Sequence, residues 1–130
     1  MRIAIALAVT ALLPRCAGDE TLSGHGASDA TWHLSELDGA SFPARATLRF
    51  PRKGHITGDG PCNSFTGTQS EPYPWFRVEK VASTRRACPD LSRETAFFDA
   101  LAAMTLAEIG QDILILSNTD GQEMIFTRQP

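Results

Sequence analysis

Cysteine and histidine are scarce in this chain of 130 residues, with three of each, and the shortage limits the chemistry open to it. No Cys-x-x-Cys or His-x-x-x-His pair occurs. His33, His55, Cys62 and Cys88 would make an acceptable tetrahedral donor set, but their spacing does not support zinc, and no metal or other cofactor is assigned. Gly-x-Ser-x-Gly, a phosphate-binding loop and an EF-hand loop are all missing, and Gly58-Asp59-Gly60 is too short for a calcium site. Positive charge is sparse as well, with only two basic doublets, Arg52-Lys53 and Arg85-Arg86. Nucleic-acid binding, which rests on neutralising phosphates, is therefore not expected. Internal repeats and low-complexity tracts are absent, which excludes solenoids and propellers. The length suits one domain with one core.

No apolar run approaches the roughly 20 residues of a membrane-spanning helix. The longest, Ile3 to Leu13, is interrupted only by Thr10 and follows Arg2. A single early cation before a short apolar stretch is the pattern of a secretory signal peptide, assigned to residues 1–18, so an exported protein is expected, periplasmic or tethered to the outer membrane. Two processing outcomes stay open. Cys16 follows the apolar run as a lipid-anchored cysteine would, although Pro14 and Arg15 depart from the small residues usual before it. Cleavage after Gly18 would instead discard Cys16. Without the leader, ten basic residues face fifteen acidic ones, a net charge of −5. Residues 19–30 are polar and rich in Gly and Ser, which reads as a flexible spacer before a domain at 31–130.

Within that domain, Thr31 to Leu37 reads as a strand carrying Trp32, Leu34 and Leu37, with His33 facing solvent, and Asp38-Gly39 as a turn. Ala46 to Phe50, His55 to Gly58 and Asn63 to Thr68 follow as short antiparallel strands, and Gly58, Gly60 and Gly67 mark bulges or close backbone approach. Phe76, Val78 and Val81 come after the rigid link Pro72-Tyr73-Pro74. The period then changes. From about Leu91 to Met104, Phe97, Leu101 and Met104 recur at helical spacing, with Asp90 as N-cap. Ile113 to Leu116 is dense enough in apolar residues for a buried strand, and Met124 to Phe126 forms the last one. The expected class is α+β: a curved antiparallel sheet or open β-barrel of seven to eight short strands with one covering helix.

Cys62 and Cys88 are each framed by turn residues beside a strand. In an exported domain of this size their default use is a disulfide. A thiol nucleophile would need a positioned base, and no such signature surrounds either residue. Asp38, Asp59, Asp90 and Asp120 sit where turns and helix caps want them, and the Asn63 amide is expected to satisfy its own glycine-rich turn. Trp75 and Phe76 point to opposite faces of an extended segment, so one can be core while the other is at the surface; the pair is the candidate contact surface, with ordinary packing at a strand entrance as the alternative.

The segment Gly60-Pro61-Cys62-Asn63-Ser64-Phe65-Thr66-Gly67 is answered downstream by Thr84-Arg85-Arg86-Ala87-Cys88-Pro89. With the opening Trp32-His33-Leu34, the pair Glu94 and Phe97, and the terminal pattern Leu114, Leu116, Gly121, Phe126, this resembles the META domain of HslJ-like bacterial envelope proteins. The motif positions are Trp32, Gly60, Cys62, Asn63, Phe65, Gly67, Thr84, Cys88 and Glu94. Pro61 and Arg86 depart from the family pattern, which commonly has glycine before Cys-Asn and a hydrophobic residue before Ala-Cys. The resemblance implies a β-rich fold over about residues 31–128 and a role in envelope maintenance or stress tolerance. The reading is a non-enzymatic, monomeric domain that binds an envelope protein or small ligand and meets membrane only through a lipid anchor. The alternatives are a small-molecule or lipid carrier using the barrel interior, and an enzyme.

Overall fold

The computed structural model describes residues 4–6, 8 and 18–129, so Cys16 and most of the leader lie outside the described residues. Nine strands and one α-helix follow in order: β1 (Thr31–Leu37), β2 (Ala40–Ser41), β3 (Thr47–Arg49), β4 (Gly54–Asp59), β5 (Ser64–Gln69), β6 (Glu79–Ser83), α1 (Leu91–Ala103), β7 (Leu106–Ile109), β8 (Ile113–Ser117) and β9 (Glu123–Gln129). They form one antiparallel sheet in the order β6-β5-β4-β3-β1-β9-β8-β7, with β2 beside β1. The class is α+β, mostly β, and the sheet is not closed. No helix among the described residues is long and apolar enough to cross a membrane.

Alternation places the core. Trp32 and Leu34 of β1, Leu114 and Leu116 of β8, and Met124 and Phe126 of β9 are all buried on one face of the curved sheet. Across the strands Trp32 pairs with Leu48, Leu48 with Gly58, and Gly58 with Phe65, so one inward row runs through four strands. β8 is a half-buried strand instead of the fully buried one expected: Ile113 is exposed, because its isoleucines alternate outward while its leucines face the core.

The strand count exceeds the seven to eight expected because two strands carry almost no pattern. β2 has two residues, placed beside β1 by the left-handed Asp38-Gly39 turn. β7, Leu-Ala-Glu-Ile, is too short and mixed to show alternation.

The helix closes the core with the face its spacing suggests. Phe97, Leu101 and Met104 are buried, and Phe97 and Phe98 meet Phe65 with ring centroids at 6.1 and 5.2 Å in edge-to-face arrangements. Asp90 occupies the N-cap position but its carboxylate turns to Arg93 at 2.6 Å instead of capping. At the other end the Asn118 amide donates to the Ala103 carbonyl.

Residues 19–30 are not the flexible spacer their composition suggested. The Asp19 carboxylate accepts hydrogen bonds from Thr21 and Ser23, which folds the segment into a 3-10 turn at Leu22–His25. Leu22 and Ala27 enter the core. Trp32 Nε1 donates to the Ala27 carbonyl at 3.1 Å, the Arg128 guanidinium lies 4.9 Å over the same indole, and His25 stacks on Tyr73 at 4.7 Å. Gly and Ser here serve a tight turn, and one leucine supplies the apolar contact.

Truncating Leu101 to Ala should destabilise the domain by about 2–5 kcal/mol. Arg93→Ala, which removes a half-exposed ion pair, should change stability by less than about 1 kcal/mol. Urea unfolding of the two variants measures the contrast, and equal small effects would mean that the buried face of α1 is misplaced.

Candidate functional site

Six of the motif residues, Gly60, Cys62, Asn63, Thr84, Cys88 and Glu94, converge on one polar knot where the turn before β5, the segment after β6 and the first turn of α1 meet. The Cys62 and Cys88 sulfurs stand at bonding distance as a disulfide, with Cα atoms 5.6 Å apart and a sequence separation of 26. In the loop-entropy model such a closure restricts the unfolded chain by about 3.5 kcal/mol.

Behind the bridge lies Glu94, only 4 % exposed. One of its oxygens accepts the backbone N–H groups of Cys62 at 3.0 Å and Asn63 at 2.6 Å, and the other accepts the Asn63 side-chain N–H at 2.6 Å. Contrary to expectation, the Asn63 amide does not satisfy its own turn, because Glu94 already holds that turn's donors. It reaches across instead. Its Nδ2 donates to the Arg86 carbonyl at 3.0 Å, while its Oδ1 accepts the Arg86 N–H at 2.6 Å and the Thr84 hydroxyl at 2.9 Å. A side-chain amide thus extends the β5–β6 ladder to Arg86, three residues after β6 ends. The Thr84 N–H in turn donates to the Ser64 carbonyl at 3.0 Å.

The polarity of this network admits one orientation. Turning the Asn63 amide over would set its oxygen against the Glu94 carboxylate and the Arg86 carbonyl, and its NH2 against the Arg86 N–H. Gly60 is needed because a Cβ there would come within 2.6 Å of the Glu94 oxygen. Gly67 sits at the register shift between Thr66 and Thr68, where a Cβ would press on the Glu79 carbonyl at 3.1 Å. Phe65 and Trp32 belong to the core, Phe65 directly under α1. All nine motif positions therefore have a place in holding the fold. Of these roles, sequence reasoning missed that of Glu94; its signal was a carboxylate at a helical position whose neighbours Phe97 and Leu101 point inward.

The other polar candidates do not join the knot. His33 lies on β1, with its imidazole held below the ordinary value by partial burial and by Arg45 and Arg49. His55 lies at the start of β4, and the thiols that zinc would need are tied in the bridge. No cluster of three or more His, Cys, Asp or Glu suited to a metal occurs among the described residues. Trp75 and Phe76 do separate as an extended pair should: Trp75 is 57 % exposed, but Phe76 is 2 % exposed and its N–H bonds to the Thr105 carbonyl. Phe76 is thus corrected from contact surface to core, and Trp75 alone faces solvent.

The META domain family model matches residues 25–130. The chain belongs to the META domain family. Its fold is similar to an NMR structure of a protein from Burkholderia xenovorans, at 21% identity and a TM-score of 0.65, covering 98% of this chain and 99% of that one. It is also similar to a crystal structure of a DUF4847 family protein from Bacteroides vulgatus, at 14% identity and a TM-score of 0.65, covering 82% and 98%. No curated protein matches the chain. At these identities the two structures speak for the shared fold alone.

Two predictions test the META knot. Glu94→Gln puts an NH2 group against donors that need an acceptor, and should lower unfolding free energy by about 1–3 kcal/mol. Asn63→Asp, which faces two carboxyl groups at each other, should cost at least as much as Asn63→Ala; urea titrations that find both variants within error of the parent would remove the knot from the account. Separately, Cys62→Ser should cost about 2–5 kcal/mol. Intact-mass measurement with alkylation, before and after reduction, checks the bridge in the parent: both thiols should be protected until reduced.

Proposed function

We propose that this META domain is an exported, non-catalytic binding domain that works as a monomer in the cell envelope, in envelope maintenance or stress tolerance. The observation that carries the reading is the inward use of the motif. Asn63, Glu94 and Thr84 are the polar residues of the motif, and they bond to one another and to backbone groups of the same turns. A catalytic constellation needs a nucleophile, base or acid free to meet substrate. Export is supported by the Arg2 and Ile3 to Leu13 leader pattern, and a disulfide is compatible with an oxidising compartment.

The carrier reading has less support. The space between sheet and helix is filled by Trp32, Phe50, Phe97, Leu101, Met104 and Phe126, each almost fully buried. Binding at the surface fits better, and Trp75 offers an anchor beside a hollow lined by Glu71, Arg77 and Thr105. If Cys16 receives the lipid, only Ala17 and Gly18 separate the anchor from the packed Asp19, so the domain would sit close against the membrane.

Mass spectrometry of the processed N-terminus tests the location: a diacylated Cys16 or an unmodified Asp19 is expected, and an intact Met1 in the cytoplasm would overturn export. For the mode of action, a strain lacking the gene is complemented with variants verified to be folded and oxidised. Trp75→Ala should weaken complementation of an envelope-stress phenotype, whereas His33→Ala, His55→Ala and Asp59→Ala should preserve it. If one of those polar substitutions abolishes the phenotype at unchanged stability and abundance, a chemical site becomes the better account.

A further inference from the structure

Among the described residues, the outer edge of β6 and of the chain that follows it has no strand beside it. Residues 79–87 are nine consecutive exposed residues, and β6 pairs with β5 alone. The alternation of its backbone groups is fixed at two points: the Thr84 N–H bonds to β5, and both backbone groups of Arg86 bond to the Asn63 amide. The N–H and C=O groups of Ser83 and Arg85 therefore turn away from β5, as successive residues of a strand must.

Beside this bare edge lies an apolar cleft of about 230 Å³, where Val78, Val81 and Ser83 face Phe98, Leu101 and Ala102 of α1. A second hollow, of about 380 Å³, shares Ser83 and Phe98 with it and continues to Arg85, Arg86 and Leu91. Arg85 and Arg86 form no ion pair among the described residues. One surface thus combines unpaired ladder groups, an apolar slot and two uncommitted cations.

We propose that this edge binds an extended peptide of a partner protein, added antiparallel beside Val81 to Arg86, with an aliphatic side chain in the cleft under Phe98 and a carboxylate on Arg85 or Arg86. The outward N–H and C=O groups call for another backbone, and the cleft selects one side chain of each alternate pair. Val81 and Arg85 are four residues apart on the same face, about 13 Å along a strand. In an antiparallel partner the carboxylate therefore precedes the aliphatic residues, in the pattern acid, x, aliphatic, x, aliphatic. Lys80, in the left-handed region at φ 54°, sits in the β5–β6 register shift and interrupts the edge before Val81. It sets the length of the site and guards the rest of β6 from edge-to-edge pairing.

This inference rests on the binding reading above and names the partner class. The probe is the capped hexapeptide Glu-Thr-Val-Thr-Leu-Thr, titrated into the oxidised, isotope-labelled protein and followed by amide chemical shifts. Saturable shifts are expected at Val81, Ser83 and Arg85 and at Phe98, Leu101 and Ala102. Replacing the probe's glutamate by lysine, or methylating its valine nitrogen, should weaken binding at least tenfold. Ala102→Trp, which fills the cleft from an exposed position, and Arg85→Glu should each do the same at an unchanged thermal midpoint. No saturable shift at millimolar probe, shifts confined to another surface, or affinity indifferent to the methylated nitrogen and to both variants would overturn the proposal. Self-association that Arg85→Glu abolishes would also overturn it, and would assign the edge to a second copy. Because the readout is at named amides, failure here removes peptide recognition at β6 and leaves the Trp75 complementation result standing on its own.

Discussion

The buried Glu94 carboxylate and the Asn63 amide hold together three segments that have little other reason to meet. The turn before β5 ends in backbone donors that no strand can satisfy, the chain beyond β6 has lost its ladder partner, and α1 must be anchored across the core from both. Each difficulty is met by the same pair of side chains. Unsatisfied buried polar groups cost about 1–3 kcal/mol each, so the network is held by the penalty for breaking it more than by the gain of each bond. The disulfide stands over this junction and fixes the two turns at a covalent distance. Its contribution acts mainly on the unfolded chain, whereas the carboxylate and amide determine the native geometry.

Packing at the other end of the molecule depends on a different device. Trp32 is buried on β1, and its indole N–H requires an acceptor that the apolar core cannot supply; the Ala27 carbonyl provides it. That bond draws residues 19–30 onto the domain, Leu22 fills the space the segment covers, and Arg128 closes over the indole while donating to the Gly26 carbonyl. The family model begins at residue 25, within this strap. Residues 19–30 therefore pack as part of the folded unit, ahead of the first strand.

How much of this was legible in the sequence follows from the range of each interaction. β1, β4 and β9 are legible as short strand segments set off by turn residues, and α1 through the spacing of Phe97, Leu101 and Met104. β2 and β7 do not, because two and four residues cannot establish a period. The strap was misread because polar composition signals a flexible linker, yet Asp19, Thr21 and Ser23 form a turn through bonds between close neighbours, and one Leu22 suffices to dock it. The Glu94 knot was legible as a set of motif positions but not as a mechanism, since its bonds join residues about thirty positions apart. Gln69 escaped notice for a similar reason: it is buried, and its amide holds the 71–77 loop through the backbone groups of Glu71 and Arg77.

The two ends of the open sheet are treated unequally, and the connection between β5 and β6 shows how. An unpaired strand edge invites association with other chains unless something covers or distorts it. At β7, the incoming chain does so: Trp75 bridges Leu106, the Phe76 N–H bonds to Thr105, and the Pro74 carbonyl accepts the Ala107 N–H. The Tyr73 hydroxyl adds a bond from the Ile109 N–H, and the strap packs on the same tyrosine. At β6 the described residues supply only the Lys80 bulge, and beyond it the backbone of residues 81–86 is held on its inner side by β5 and Asn63. Asn63 thus has two consequences. By completing the inner ladder after β6 ends, it keeps Thr84 to Arg86 extended and leaves their outer edge straight and open, next to the apolar face of α1 that Glu94 anchors. The residues that carry the family motif are structural, yet the surface they hold in shape is the edge of the sheet that no other described residues cover.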